Sequence, residues 1–176
     1  MLGALIETLD TQLELGAAPS LQAHSAPVGD RVFIVHGHDD AALQTTARFL
    51  EKLQLKTTIL REEPNKGRTI IEKFIDYSNA GFAVVLLTAD DRGGPKSAPY
   101  DEQKPRPRQN VLFELGFFVG KLGRMRVCAL YQAGVEIPSD YQGVLFVQFD
   151  NAGAWKFAVA KEIKAAGIDI DLNKAV

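Results

Sequence analysis

Short apolar segments alternate with segments of helical period from Arg31 to Ala165, and this alternation constrains the fold more than any other feature. The segment that begins at Phe82 is apolar almost throughout, as is typical of a central strand covered on both faces. Such alternation predicts a parallel sheet with helices on both sides. The predicted strands are 32–35, 57–60, 82–88, 126–131 and 144–149, and the predicted helices are 40–53, 69–78, 109–122 and 152–165.

These elements predict an α/β fold of three layers. The arrangement is flavodoxin-like, with a five-stranded, mostly parallel sheet in the strand order 2-1-3-4-5. The link 132–143, between the last two strands, shows no clear helical pattern. Ligands of such sheets bind at the carboxyl ends of the strands, near the switch point between the first and third strands. We therefore expect chemistry directly after Val35, Leu60 and Leu87.

The length of 176 residues suits one domain with a short appendage. Residues 1–15 place Leu and Ile at mixed spacings of three and four, which predicts an amphipathic helix. Residues 16–30 are rich in Ala, Pro, Ser and Gly and predict a linker, so the domain itself is 31–176. Because so short a helix is marginal alone, we expect it to dock on the domain or on a second copy, or to be the remnant of a larger N-terminal region.

Charge is divided unevenly along the chain. The 20 basic and 22 acidic residues give a net charge of −2, and residues 1–30 contain four acids and no Lys or Arg. The rest of the chain therefore carries a net charge of +2, which is too small to predict a nucleic-acid partner. The fractions of hydrophobic residues (46%) and charged residues (24%) are those of a globular protein and exclude extensive disorder.

The cysteine content and the apolar runs bear on location. Cys128 is the single cysteine, which excludes an internal disulfide and a cysteine-based zinc site. The first residues contain no basic segment of a secretory signal, and no apolar run is long enough to span a bilayer. We therefore expect a cytoplasmic protein that has no membrane partner.

Polar residues collect after the first three predicted strands. His-Gly-His-Asp-Asp at 36–40 follows the first strand, a charged segment at 61–69 follows the second, and Thr-Ala-Asp-Asp at 88–91 follows the third. A long polar loop is predicted for 92–108, directly before the third predicted helix. Because the carboxyl ends of parallel strands share one edge of the sheet, these segments predict a binding site at that edge.

A metal site is one interpretation of residues 36–40. His36, His38 and Asp40 have the spacing of a metallo-hydrolase ligand run. Such a run needs further histidine ligands, and the only other histidine, His24, lies in the predicted linker. We therefore predict that no metal is bound.

Two other interpretations of the same segment stay open. A phospho-receiver domain shares the fold and has acids after strands one and three, but it requires a lysine after strand five, where residues 148–151 contain none. In a structural role, Gly37 permits a tight turn and Asp39 or Asp40 caps the following helix. A nucleotide pocket is compatible with that role, because N–H groups at a helix N-terminus can hold a phosphate.

The glycine-rich phosphate loops of the common nucleotide-binding classes are absent from the sequence. Neither G-x-x-x-x-G-K-[ST] nor G-x-G-x-x-G occurs, so ATPase and dehydrogenase chemistries of those classes are not predicted. Gly67 stands alone and is consistent with a loop hinge before the second predicted helix.

The predicted helix 109–122 carries the most informative candidate residue. Glu114 is surrounded in sequence by phenylalanine and leucine, and a carboxylate in apolar surroundings is costly unless it is paired or used. The structural interpretation is a salt bridge from Glu114 to Arg106, Arg108 or Lys121. The functional interpretation is a carboxylate that stabilises positive charge in a transition state.

The basic segment 104–108 also has two interpretations. It is either a stiff, solvated end of the preceding loop or a clamp for phosphates, since Arg108 lies at the start of a predicted helix. A DNA-binding patch is not expected, because no aromatic residues are interleaved with the charges.

Three segments, 32–39, 82–91 and 106–116, carry a resemblance to a known family. They read Val-Phe-Ile-Val-His-Gly-His-Asp, Phe-Ala-Val-Val-Leu-Leu-Thr-Ala-Asp-Asp and Arg-Pro-Arg-Gln-Asn-Val-Leu-Phe-Glu-Leu-Gly. They resemble the bacterial TIR-like predicted nucleotide-binding family, the TIR-like type that is also fused to STING domains in anti-phage systems. The resemblance covers about 31–173, its last segment is the most specific, and it implies the TIR version of the fold predicted above.

The resemblance implies an NAD⁺ glycohydrolase, which cleaves the nicotinamide–ribose bond. Catalytic TIR domains have one essential glutamate on the helix after the third strand, and Glu114 occupies the matching position. Because nicotinamide leaves as a neutral molecule, one carboxylate can stabilise the oxocarbenium-like ribosyl cation without a paired acid. NAD⁺ is then the substrate, and no cofactor is required. The pocket residues implied by position are His36, Gly37, Asp39, Thr88, Asp90, Arg108 and Asn110.

The resemblance also implies assembly. Catalytic TIR domains generally need a neighbouring copy to complete or open the site, so we expect a homo-oligomer or filament and weak activity of the isolated chain. The segment 61–68 corresponds to the mobile loop that controls access and assembly, although its sequence differs from eukaryotic TIR loops. An upstream sensor or partner domain is expected as the trigger, and anti-phage defence as the role. The product, ADP-ribose or a cyclic isomer, stays open.

Two other functions remain open at this point. A non-catalytic TIR-like module would bind a nucleotide or another TIR domain, and its Glu114 would be salt-bridged away from any pocket. A nucleoside deoxyribosyltransferase-like enzyme shares the fold and would use Glu114 as a covalent nucleophile. An open cleft between the end of the first strand and Glu114 favours either enzyme over the binding module.

Overall fold

The computed structural model describes residues 29–63, 66–67, 69–139 and 143–175. The predicted N-terminal helix, 1–15, and most of the predicted linker lie outside these residues. In the described part of the chain, no helix has both the length and the apolar character needed to cross a bilayer.

A five-stranded sheet forms the centre of the fold. Its strands are β1 (Arg31–Val35), β2 (Lys56–Ile59), β3 (Phe82–Leu87), β6 (Val127–Tyr131) and β7 (Leu145–Gln148), while β4 (Asp91–Gly93) and β5 (Lys104–Arg106) pair separately. The sheet has the order β2-β1-β3-β6-β7, and each neighbouring pair is parallel. This order confirms the predicted 2-1-3-4-5 arrangement when strands are counted within the sheet.

Two helices cover each face of the sheet. The helices are α1 (Asp40–Lys52), α2 (Ile70–Tyr77), α3 (Gln109–Leu122) and α4 (Ala154–Ala165). Residues of α1 and α4 belong to the core on one face, and residues of α2 and α3 belong to the core on the other. The three-layer α/β fold is therefore confirmed, and the bounds of α3 are those predicted.

Strand β3 explains why the fold has three layers. Each of its side chains is exposed by 2% or less. Phe82, Val84 and Leu86 pack in the core beneath α1 and α4, whereas the alternate residues of β3 pack beneath α2 and α3. A strand that is apolar on both faces must be covered on both faces, so this one segment builds both cores.

An aromatic cluster joins the sheet to α2 and α3. The ring centroid of Phe118 lies 4.7 Å from that of Phe33 on β1 and 5.7 Å from that of Phe74 on α2. Phe117 contacts Phe74 at 4.7 Å, and Lys121 Nζ donates a hydrogen bond to Ser78 Oγ at 2.5 Å. These contacts align α2 and α3 side by side along the same face.

The polar loop that the sequence predicts for 92–108 contains a short hairpin. Strands β4 and β5 pair antiparallel, with Arg92 opposite Pro105. The Arg92 guanidinium donates to the Gln103 carbonyl at 2.7 Å, and the Arg106 guanidinium packs so closely on Gly93 that a Cβ there would collide with it. Strands of three residues without apolar alternation give no recognisable sequence signal, so the loop prediction missed them.

The aromatic cluster generates a first testable prediction. Replacing Phe118 by Ala should lower the free energy of unfolding by about 3–5 kcal/mol, because the side chain is fully buried between three other rings. Phe113→Ala on the same helix is the matched control, since Phe113 is 60% exposed and its loss should change stability little. Urea denaturation of both variants measures the difference, and equal losses would contradict the packing described.

Candidate active site

A cavity of about 380 Å³ opens at the carboxyl ends of β1 and β2, on the face covered by α2 and α3. Its walls come from the end of β1, the segment after β2, the first turns of α2 and the middle of α3. The lining residues are Phe33, Ile34, His36, Leu60, Arg61, Ile70, Lys73 and Glu114. The cavity therefore connects the end of β1 with Glu114. Both the glycohydrolase and the deoxyribosyltransferase-like enzyme considered above require such an open cleft.

Glu114 is held in this wall by the apolar face of α3. Val111, Leu115 and Phe118 are buried against the sheet. Glu114 lies three residues after Val111 and four residues before Phe118, so it shares their side of the helix. In the part of the chain that the structure describes, its carboxyl has no hydrogen-bond or ion-pair partner. Burial raises the pKa of Glu114 from 4.5 to about 7, with no charged neighbour contributing.

The salt bridge considered for Glu114 is not formed by any of its three candidate partners. Lys121 donates to Ser78, and Arg108 Nη1 donates to His38 Nε2 at 2.8 Å. Arg106 lies in β5, where its guanidinium packs on Gly93. Glu114 consequently keeps its hydrogen-bonding capacity for a ligand in the cavity.

His36 is the second predicted site residue that lines the cavity. Its Nδ1 donates a hydrogen bond to the Gly37 carbonyl at 2.8 Å, because a carbonyl oxygen can only accept. Burial is the largest influence on its pKa, which is lowered. The imidazole is therefore neutral at pH 7, and its Nε2 is an acceptor.

Two basic residues in the cavity wall were not predicted as site residues. Arg61 follows β2, is exposed, and pairs with Asp40 Oδ1 at 2.8 Å. Lys73 lies in the first half of α2 and is only 5% exposed.

The capping box that the sequence predicts for Thr69 and Glu72 is present and fixes the first turn of α2.

Four of the predicted pocket residues lock the loops at the strand ends instead of lining this cavity. The Asp90 carboxylate accepts hydrogen bonds from Thr88 Oγ1 at 2.7 Å and from the His38 backbone N–H at 3.1 Å. It fits so closely against Gly37 that a Cβ at that position would overlap the carboxylate. The loops after β1 and β3 are therefore held together directly. Arg108 adds its bond to His38.

Asp39 lies toward the opposite face of the sheet, which is covered by α1 and α4. Its Oδ1 accepts from the Ala42 backbone N–H at 2.9 Å and caps α1, as one interpretation of this segment predicted. Its Oδ2 accepts from Gln132 Nε2 at 2.6 Å, and Gln132 Oε1 accepts from the Ala89 N–H. Asp39 and Gln132 line a second cavity of about 380 Å³, near Asp150 and the start of α4.

Among the predicted site residues, the structure thus brings His36 and Glu114 to one cavity. Asn110 is exposed in the first turn of α3 and lines neither cavity. Gln132, at the carboxyl end of β6, was missed because only the ends of the first three strands were considered. Within the described ranges, no group of three or more His, Cys, Asp or Glu residues could hold a metal ion.

The sequence profile of a protein family matches most of this fold. The family is described as the TIR domain of CAP12/Pycsar effector proteins, and the match covers residues 31–151. That range contains all five strands of the sheet and the residues of both cavities apart from Gly153, Trp155 and Lys156.

Several known proteins are similar in sequence to the chain. An uncharacterized protein of Escherichia coli K12, YuaY, is 46% identical over 151 residues, which are 85% of this chain and 50% of YuaY. Protein tirC of Dictyostelium discoideum is 33% identical over 128 residues, 68% of this chain and 64% of tirC. The Pycsar effector protein BcPycTIR of Burkholderia cepacia is 37% identical over 81 residues, 45% of this chain and 25% of that protein. The chain thus spans half the length of the first relative and less than two-thirds of the second.

The raised pKa of Glu114 generates a second prediction. A carboxyl whose pKa is higher in the folded state than in the unfolded state lowers the free energy of unfolding as pH rises. The decrease begins at about pH 4.5, the unfolded value, and is complete above about pH 7, the folded value. Glu114→Gln should therefore raise the free energy of unfolding at pH 8 by up to roughly 3 kcal/mol, and the gain should fade toward pH 5. Thermal unfolding across this pH range measures it, with the exposed Glu102→Gln as the control. A gain that does not depend on pH would show that Glu114 is not desolvated.

Proposed function

The chain belongs to the TIR-domain family of CAP12/Pycsar effector proteins, and from this membership and its buried carboxylate we propose that it is an NAD⁺ glycohydrolase. The observation that carries the proposal is the cavity that joins Glu114 to the end of β1. A desolvated carboxylate without a protein partner among the described residues is suited to a cationic reaction centre.

The reaction breaks the bond between C1′ of the ribose and the ring nitrogen of nicotinamide. The bonding electron pair leaves with nicotinamide, which becomes neutral, and C1′ acquires oxocarbenium character. The Glu114 carboxylate stabilises this positive charge, and its oxygens can also accept hydrogen bonds from the ribose hydroxyls. Water then adds to C1′ and releases a proton, so the products are ADP-ribose, nicotinamide and H⁺.

The proposed role follows from the names of the relatives. Two of them are called Pycsar effector proteins, and several others are called CD-NTase-associated protein 12. We infer that this chain is an effector domain in a bacterial anti-phage system, with depletion of NAD⁺ as its output. An upstream sensor or partner domain would then supply the activating signal.

Assembly is the part of the proposal that rests on the surface next to the cavity. Ile70 is 80% exposed at the cavity mouth, and Ile71, Ile75 and Phe113 are also exposed on α2 and α3. We call these four side chains the α2–α3 patch. Exposed apolar side chains grouped on neighbouring elements are typical of interaction surfaces. A second copy of this chain is the proposed occupant, as the family resemblance implies.

A non-catalytic module that binds other TIR-like copies is the second candidate function, and the α2–α3 patch is the observation that favours it. A deoxyribosyltransferase-like enzyme would use the same cavity but form a covalent bond between Glu114 and C1′. A ribosyl adduct on Glu114, trapped and detected by mass spectrometry, would distinguish that enzyme from a glycohydrolase.

A third prediction concerns activity and its pH dependence. Concentrated protein with a crowding agent should release nicotinamide from NAD⁺, and Glu114→Gln should abolish the release while the protein stays folded. Because the carboxyl must be ionised, kcat/KM should rise about tenfold per pH unit below pH 7 and level off above it. Chromatographic measurement of nicotinamide between pH 5 and 9 checks both points.

The exposed Glu102→Gln is the control for this experiment and should leave the rate unchanged. Equal release by Glu114→Gln would contradict the role of this carboxylate. No release together with measurable NAD⁺ binding would indicate a missing activator. Absence of both would overturn the NAD⁺ proposal.

A fourth prediction tests the α2–α3 patch. Ile75→Glu should reduce self-association and, with it, the specific activity at high protein concentration, because a charge at a buried apolar contact is costly. Phe157→Glu introduces the same negative charge at an exposed apolar position of α4, on the opposite face of the sheet, and is the control. Analytical ultracentrifugation and nicotinamide release measure the two effects, and equal behaviour of both variants would remove the patch from the proposed interface.

A further inference from the structure

His36 and Glu114 line the same cavity from two different elements of the fold. His36 directly follows β1, and Glu114 lies in the middle of α3. The pKa of neither group is influenced by the other, and no hydrogen bond joins them within the described ranges. A ligand in the cavity can therefore contact both groups, each with its own chemistry.

The imidazole of His36 is held in one orientation. Its Nδ1 donates to the Gly37 carbonyl at 2.8 Å, and Gly37 packs closely against the Asp90 carboxylate. Asp90 also accepts the backbone N–H of His38, which fixes the loop directly after His36. Because Nδ1 carries the hydrogen, the basic lone pair of the neutral ring is at Nε2. This atom has no protein partner in the part of the chain that the structure describes.

His36 is a neutral base at pH 7. Burial is the largest influence on its pKa and lowers it from 6.5, and the charge of Arg61 acts in the same direction. The hydrogen bond to the Gly37 carbonyl raises the pKa, as do the carboxylates of Asp40 and Glu62. The ring is therefore free to take up a proton during a reaction, and these three groups stabilise the imidazolium that results.

Hydrolysis of the nicotinamide–ribose bond needs a proton acceptor in its second step. Nicotinamide leaves as a neutral molecule and needs no acid, whereas the attacking water must lose a proton as its oxygen bonds to C1′. Glu114 is the group proposed to stabilise the cation, and a proton on its carboxylate would remove that stabilisation. His36 lies in the same cavity, and a neutral histidine has the basicity that general base catalysis near pH 7 requires.

We propose that His36 is the general base of the hydrolysis and accepts, at Nε2, a proton of the water that attacks C1′. This inference rests on the proposed NAD⁺ chemistry and deepens it. An electron pair of the water oxygen forms the bond to C1′, while one O–H bond breaks and its proton passes to Nε2. The imidazolium then returns the proton to solvent, so the ring is regenerated in each cycle. A nucleophile that has no proton to lose does not need this base.

Two nucleophiles that differ in this need test the inference. The full chain, concentrated and with a crowding agent, is mixed with NAD⁺ and thionicotinamide. Water gives ADP-ribose and loses a proton, whereas the ring nitrogen of thionicotinamide gives an NAD⁺ analogue and loses none. His36→Gln keeps a hydrogen-bonding group of similar reach but removes the basicity. The ratio of analogue to ADP-ribose, measured by chromatography, should rise roughly 100-fold, near the lower end of the range for general base catalysis.

His38→Gln makes the same change two residues later and is the matched control. The His38 side chain is exposed and lines neither cavity, so this variant should give the product ratio of the unaltered protein. Both products come from one sample, so a smaller folded fraction does not change their ratio. An unchanged ratio in His36→Gln, or an equal loss of both products, would overturn the role of His36 as a base.

A measurement on the unaltered protein guards against a variant that does not fold. In D₂O the transfer of a deuteron to Nε2 slows hydrolysis but not attack by thionicotinamide, so the ratio of analogue to ADP-ribose should rise. The same ratio in both solvents would refute the proton transfer and leave the NAD⁺ proposal standing. If neither product forms, the proposed function itself fails, and the inference fails with it.

A protein that hydrolyses NAD⁺ but does not accept thionicotinamide is tested through its kinetic constants. His36→Gln should then lower kcat roughly 100-fold and leave KM nearly unchanged, because the base acts on water and not on the bound nucleotide. A higher KM at constant kcat would assign His36 to substrate binding and overturn the proposal.

Discussion

The packing of Phe118 between Phe33 and Phe74 is the contact on which the candidate site depends. It fixes the face of α3 that turns toward the sheet, and Glu114 lies one turn earlier on that face. The carboxyl is therefore desolvated by the same apolar stripe that stabilises the helix. Neither a loop nor an exposed helix face could hold a glutamate in this state, because water would return its pKa to the ordinary range.

The fold could be predicted from the sequence because its signals are local. The apolar run of β3 and the periodicity of α3 fixed the layers and the strand order, and the structure agrees with both. Lys73 could not be predicted in the same way. A lysine in a helix reads as solvent-exposed, and its burial results from the way α2 packs against the sheet and α3, which only the tertiary structure decides. The β4–β5 hairpin was missed for a related reason, since its strands are too short to show a period.

Polar residues at the strand ends separate into two groups by how their hydrogen-bonding capacity is used. Thr88, Asp90 and Gln132 form hydrogen bonds that hold neighbouring loops together. These hydrogen-bonding groups are therefore occupied in holding the loops at the edge of the sheet together. Glu114 and the Nε2 atom of His36 keep capacity on the cavity side. Position after a strand identified Thr88, Asp90 and His36 in the sequence. Gln132 was missed, and Glu114 was identified by its apolar neighbours on α3. Only partner geometry distinguishes the residues that hold the loops together from those available to a ligand.

The desolvated carboxyl of Glu114 matches the positive charge of the proposed substrate. NAD⁺ is positive at the nicotinamide ring and negative at its phosphates. A cation beside Glu114 would favour the ionised carboxylate and lower its pKa again, so the free energy that folding loses by burying this group is partly recovered on binding. A neutral ligand would recover none of this free energy, so the desolvated carboxyl of Glu114 itself favours a cationic group at this wall of the cavity.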